Sequence, residues 1–144
     1  MEENLIEYMQ QAFTFGNVDL KTYSPLTLAY IGDGVYDLII RSVMVNKGNC
    51  PVKSLHKQTS RLVNAGTQSA MIEVMKEQLT EEEKAVYKRG RNAFSHSRAK
   101  NASMTEYRRA TGFEALIGYL YLKGSYKRMT DLIKAGLQGI GEEL

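Results

Sequence analysis

Ser24-Pro25-Leu26-Thr27-Leu28-Ala29-Tyr30-Ile31-Gly32-Asp33-Gly34-Val35-Tyr36-Asp37-Leu38-Ile39-Ile40-Arg41 is the stretch from which the fold can be read. Ser24 has the hydroxyl of an N-cap, and Pro25 suits the first helical position, where an N–H would lack a partner anyway. Apolar side chains occupy every face that follows, so the helix is expected to be central and largely buried. Asp33 stands in its middle, between Gly32 and Gly34. Each glycine costs a helix interior roughly 1 kcal/mol relative to alanine. They make sense if something must come close to the backbone beside Asp33. Asp37 lies four residues before Arg41, and a helical ion pair accounts for it.

Outward from this stretch the chain reads as a succession of helices. The long helix is expected to run from about Pro25 to Lys47 and stop at Gly48, with Pro51 just beyond. Ahead of it, Leu5, Ile6, Met9 and Phe13 have the spacing of a short amphipathic helix over residues 2–14, and residues 16–21 form a turn or linker. Behind it, one helix is expected over about Lys53–Gln78, with Leu55, Leu62, Val63, Met71, Ile72 and Met75 inward and Gly66 bending or breaking it. Thr80-Glu81-Glu82-Glu83 is an N-cap with an acidic first turn, and Glu83 completes a capping box. That helix is expected to reach about Arg89. Residues 90–103, GRNAFSHSRAKNAS, are small, polar and basic without periodicity, and read as an exposed loop. Two more helices follow, from about Met104 or Thr105 to Lys123-Gly124 and from about Ser125 to Gln138. No strand or repeat is evident. The expected fold is all-α, a single domain over residues 1–144 with its core at about 24–138.

With 144 residues, 43% hydrophobic and 24% charged, the chain has the make-up of one soluble globular domain. Cys50 is the sole cysteine, which excludes an internal disulfide and a Cys-x-x-Cys metal site. The N-terminus lacks the basic and apolar regions of a signal peptide, and no apolar run is long enough to span a membrane. A cytoplasmic location is the expectation. The net charge of +3 is unevenly spread. Residues 1–20 hold four acids and no Lys or Arg, whereas 88–109 hold seven Lys or Arg against Glu106 alone. Such a local basic field suits a polyanion such as nucleic acid, although a solvated surface is the plainer explanation of a charge run.

A second acid repeats the pattern of Asp33. In Thr111-Gly112-Phe113-Glu114-Ala115-Leu116-Ile117-Gly118-Tyr119-Leu120, Glu114 is the only charged residue between Arg109 and Lys123. Small residues stand at 112, 115 and 118. A carboxylate is rarely buried without a partner, because desolvating the charge costs several kcal/mol. If the two helices cross at their glycines, Asp33 and Glu114 converge. Two converging carboxylates repel unless a cation lies between them, and an all-oxygen donor set favours Mg²⁺, with Mn²⁺ as a substitute. The competing reading is that Glu114 pairs with a buried arginine.

These residues resemble a known family. Tyr30-Ile31-Gly32-Asp33-Gly34-Val35 is similar to the signature of ribonuclease III catalytic domains, and Phe113-Glu114-Ala115-Leu116-Ile117-Gly118 resembles their second signature, Val-Glu-Ala-Leu-Ile-Gly-Ala. The separation of about 80 residues fits as well. More closely the chain resembles Mini-III, the short bacterial branch, through Leu28-Ala29-Tyr30-Ile31-Gly32-Asp33, Leu55-His56-Lys57, Ser60-Arg61-Leu62-Val63 and Lys88-Arg89-Gly90-Arg91-Asn92. Only 20 residues follow Gly124, so the double-stranded-RNA-binding domain of ordinary ribonuclease III is not expected. Ordinary members also carry acids where this chain has Leu26, Ala29 and Thr111. The acidic cluster is thereby reduced to Asp33 and Glu114, which implies one firmly held Mg²⁺ with any second ion recruited by substrate phosphate.

The resemblance implies a homodimeric endoribonuclease that hydrolyses double-stranded RNA to 5′-phosphate and 3′-hydroxyl ends. Asp33 and Glu114 would be its catalytic and metal-binding residues, and precursor 23S ribosomal RNA its substrate, with a ribosomal protein as a candidate helper. Leu26, Tyr30 and Leu62 are candidates for the dimer interface. Two basic patches are expected to bind RNA. Lys53, His56, Lys57, Ser60 and Arg61 can share one helical face, and Arg89, Arg91, Asn92, Arg98, Lys100 and Arg108 flank or occupy the loop. His56 and His96 are equally well read as plain surface histidines. The alternative function is a catalytically silent double-stranded-RNA-binding or ribosome-associated module of the same fold. A small helical DNA-binding regulator fits the basic patch but has no use for Gly-Asp-Gly in a core helix.

Overall fold

The computed structural model describes residues 4–93 and 103–144, in which every regular element is helical and no strand occurs. Seven α-helices follow in order: α1 (Leu5–Ala12), α2 (Pro25–Asn46), α3 (Val52–Leu62), α4 (Ala65–Met75), α5 (Glu81–Asn92), α6 (Met104–Lys123) and α7 (Tyr126–Gly139). Single 3₁₀ turns at Leu20–Thr22 and Lys76–Gln78 precede α2 and α5. No helix among the described residues is long and apolar enough to cross a membrane.

The centre of the fold is α6. Its residues from Ala110 to Leu120 are buried with the exception of Glu114, and it packs against α2, α4, α5 and α7. The packing on α2 is backbone to backbone. A Cβ added at Gly32 would lie 1.8 Å from the Glu114 carbonyl oxygen, and one at Gly118 would lie 2.0 Å from that of Leu28. Only glycine at both places lets the helices touch, which answers the question raised by Gly32. Gly34 is different, since a Cβ there would meet nothing within 4 Å.

The helix ends are set by local chemistry. Ser24 caps α2 through the Thr27 N–H, as expected. Ser103 and Glu106 form a capping box at α6, whose last turn closes on Gly124 at φ +82°. Thr80 and Glu83 form the expected box at α5, and buried Glu83 also receives Arg128 in a two-point contact at 2.8 Å to each oxygen. The expected Asp37–Arg41 pair is present at 3.2 Å. In the core, Tyr36 donates its hydroxyl to the Leu62 carbonyl at 2.9 Å and stands edge-on to Phe113.

Three sequence expectations need correction. The helix over 53–78 is two helices, broken at Val63-Asn64 rather than at Gly66. Asn64 is the reason: its side-chain oxygen accepts the Thr67 N–H and its amide donates to the Ser60 and Arg61 carbonyls, ending α3 while starting α4. The exposed loop does not begin at Gly90, because α5 continues to Asn92. Gly90 is buried against α6, where a Cβ would come 2.7 Å from that of Ala115. Leu62 is fully buried and cannot be an interface residue, whereas Leu26 and Tyr30 are exposed, Tyr30 by 82%.

Candidate active site

Asp33 sits on α2 and Glu114 on α6, brought together by the glycine contact between the two helices. They share a cavity of about 190 Å³ with Val63, Asn64, Ala65, Gln68, Tyr107, Ala110 and Thr111. Asp33 stands exposed at the cavity mouth and Glu114 is half-buried within. The two carboxyls face the same space. Burial first, then the neighbouring Asp33 carboxyl and its charge, push the Glu114 carboxyl up to about 9, with the Gln68 side chain acting the other way. At neutral pH Glu114 therefore keeps its proton beside Asp33. Among the described residues no arginine or lysine pairs with Glu114, as the competing ion-pair reading would require.

A proton held beside a second acid marks a place suited to a cation. Among the described residues the polar groups lining the cavity are oxygens and the amides of Asn64 and Gln68, with no thiolate or imidazole. That chemistry fits a hard ion such as Mg²⁺, which needs only one or two protein carboxylates and completes its shell with water and substrate phosphate. Among the described residues no group of three or more His, Cys, Asp or Glu is placed to hold a metal. Two carboxylates are what the chain offers, consistent with the replaced acids. Ala29 is buried, and Thr111 turns its hydroxyl back to the Tyr107 carbonyl at 2.9 Å.

The basic residues fall into separate groups. Lys53, His56, Lys57, Ser60 and Arg61 are exposed along α3 as their spacing predicted, with Arg61 engaged by Glu142. Arg91, Asn92 and Arg108 line one cavity of about 230 Å³ together with Thr105, Glu73, Lys76 and Arg109. Glu73 pairs there with Arg109 at 2.7 Å and Lys76 at 2.8 Å. Arg89 stands apart, donating to the Tyr23 carbonyl at 3.3 Å. His96, Arg98 and Lys100 lie outside the described residues. Sequence reasoning missed Lys76, Arg109 and Gln68. For Gln68 the available signal was its register, one turn ahead of the apolar pair Met71 and Ile72.

The ribonuclease III domain family matches residues 26–125. The chain is 49% identical over 122 residues to Mini-ribonuclease 3 of Clostridium tetani, covering 83% of this chain and 80% of that protein. It is 39% identical over 142 residues to Mini-ribonuclease 3 of a Thermoanaerobacter species, covering 99% and 100%. A crystal structure of a protein from Fusobacterium nucleatum superposes with a TM-score of 0.75 at 32% identity, covering 84% of this chain and 93% of that one.

Proposed function

The chain belongs to the ribonuclease III family, and on that premise we propose that Asp33 and Glu114 are the acids with which it cuts double-stranded RNA. It is an endoribonuclease, and the catalytically silent alternative is set aside. The observation that carries the site assignment is the convergence of Asp33 on α2 and Glu114 on α6 in one cavity, across the glycine contact of the two helices. That arrangement gives the pair the power to exchange one proton for a divalent cation. Mg²⁺, when bound, supplies a water of lowered pKa and neutralises charge developing on the phosphoryl oxygens.

The chain's own residues do the rest. Asp33 and Glu114 would hold the ion, and the apolar walls at Val63, Ala65 and Ala110 limit competing water. Asp33, at the mouth, meets the RNA strand first. Lys53, His56, Lys57, Ser60 and Arg61 on α3, and Arg91, Asn92 and Arg108 beside the second cavity, supply phosphate and 2′-hydroxyl contacts to a duplex read by its shape. Arg89 serves at the edge of that field, and Arg98 and Lys100 are assigned to it from sequence alone. We assign a homodimer, each subunit cutting one strand, since a two-fold assembly matches the two-fold relation of duplex backbones. Leu26 and Tyr30 supply its apolar face. Precursor 23S ribosomal RNA is the proposed substrate, with a ribosomal protein as a candidate helper.

The test is Asp33→Asn, assayed on duplex RNA with Mg²⁺. Cleavage should fall by about 10²–10³-fold or more, while RNA binding and the oligomeric state persist. Retained cleavage would exclude Asp33 from the site.

A further inference from the structure

Five polar or charged residues are buried among the described residues: Thr59, Gln68, Ser69, Glu83 and Thr111. Glu83 belongs to the α5 capping box and Arg128, and the Thr111 hydroxyl is bonded within its own helix. Gln68 is 3% exposed and lines the cavity of Asp33 and Glu114. Its amide shares that cavity with the half-buried Glu114 carboxyl, and it draws the Glu114 pKa down against the effect of burial. Burying a side-chain amide costs a few kcal/mol without a partner. A methionine at this register would pack against Met71 and Ile72 with no polar atom to satisfy. An amide here therefore points to the polar contact itself.

We propose that Gln68 is a positioning residue for the reaction: its amide N–H fixes one oxygen of the Glu114 carboxylate and so aims the other at the cavity shared with Asp33. This rests on the reading of Asp33 and Glu114 as the metal-holding pair. The support runs through three helices. Asn64 caps α4 one turn earlier, with its carbonyl accepting the Gln68 N–H at 3.0 Å, so the start of α4 is fixed. Gln68 projects from that fixed turn to α6, and α6 is locked to α2 at Gly32 and Gly118. Partners of this kind orient ligating carboxylates and set their affinity for metal. Where other acids of the cluster are replaced, at Leu26, Ala29 and Thr111, the aim of Glu114 carries more of the site.

The test measures Mn²⁺ binding to the RNA-free protein by electron paramagnetic resonance, comparing wild type, Gln68→Met and Asp33→Asn. Gln68→Met conserves volume, and circular dichroism melting checks that it folds. Mn²⁺ affinity should weaken about 10–100-fold in Gln68→Met. At low Mg²⁺ kcat should fall by a similar factor and recover as Mg²⁺ is raised, with KM for duplex RNA unchanged within about twofold. Should Gln68→Met not fold, Gln68→Asn, which withdraws the amide by one methylene, must show the same weakened binding. Wild-type Mn²⁺ affinity in a folded Gln68 variant overturns the proposal. If Asp33→Asn abolishes binding in that experiment, the metal pair stands and only Gln68 fails. If Asp33→Asn also binds normally, the pair itself is wrong and the inference falls with it.

Discussion

Glu114→Gln tests the state of the acid pair without any substrate. In the metal-free fold Glu114 is displaced from an ordinary 4.5 to about 9, chiefly by burial. Between those two pH values the folded chain holds a proton that the unfolded chain has lost, so stability declines as pH rises through this window. Taken whole, the displacement is worth about 6 kcal/mol at 1.36 kcal/mol per pH unit. Asp33 is exposed and Glu114 only half-buried, so screening reduces this to about 2–3 kcal/mol. A glutamine at 114 is neutral at every pH and lacks the decline. The variant should therefore match wild type near pH 4.5 and melt about 6–12 °C higher near pH 9, in EDTA. Millimolar Mg²⁺ should stabilise wild type and leave the variant unmoved, by about 2.7 kcal/mol where the ion is at a hundredfold excess over its dissociation constant. Calorimetry at several pH values, with and without Mg²⁺, measures both effects. A difference between the two melting curves that stays flat from pH 5 to 9 refutes the held-proton account of the site.

Other substitutions probe the helix contact and the basic cavity. Gly32→Ala places a Cβ inside the contact distance of the Glu114 carbonyl; it should cost about 3 kcal/mol in denaturant unfolding and most of the cleavage activity, since α2 must move off α6. Gly34→Ala meets open space and should stabilise the isolated chain by about 1 kcal/mol; any loss of cleavage or of dimer would then report a partner or substrate approaching from outside. Arg108→Ala should raise KM for duplex RNA, leave kcat unchanged, and lower the slope of log affinity against log salt by about one.

Both acids are legible in the sequence because each breaks a rule of its helix. An isolated charge and a glycine on an apolar segment are conspicuous, and the reason became visible as the Gly32–Glu114 and Gly118–Leu28 contacts. The features that escaped do so because one residue type serves two physical ends. Gly66 drew attention as a breaker while Asn64, an ordinary polar residue in sequence, actually divides α3 from α4 through its caps. Gly90 looked like the start of a loop but is a close-approach glycine, a distinction that depends on where α6 passes. Gln68 resembles any surface amide until α6 is laid over it. Arg109 and Lys76 meet at Glu73 only through tertiary packing.

The meeting of Gly32 with Glu114 and of Gly118 with Leu28 has a consequence for how this chain tolerates change. Peptide groups are chemically identical in every variant, so a gap set by peptide against peptide does not drift when side chains elsewhere are exchanged. Repacking around Tyr36, Phe113 or Met71 can loosen the surrounding bundle while the gauge between the two acids stays put. The catalytic spacing is thus insulated from the wear of neutral substitution, and the residues that cannot be exchanged are those with no side chain at all.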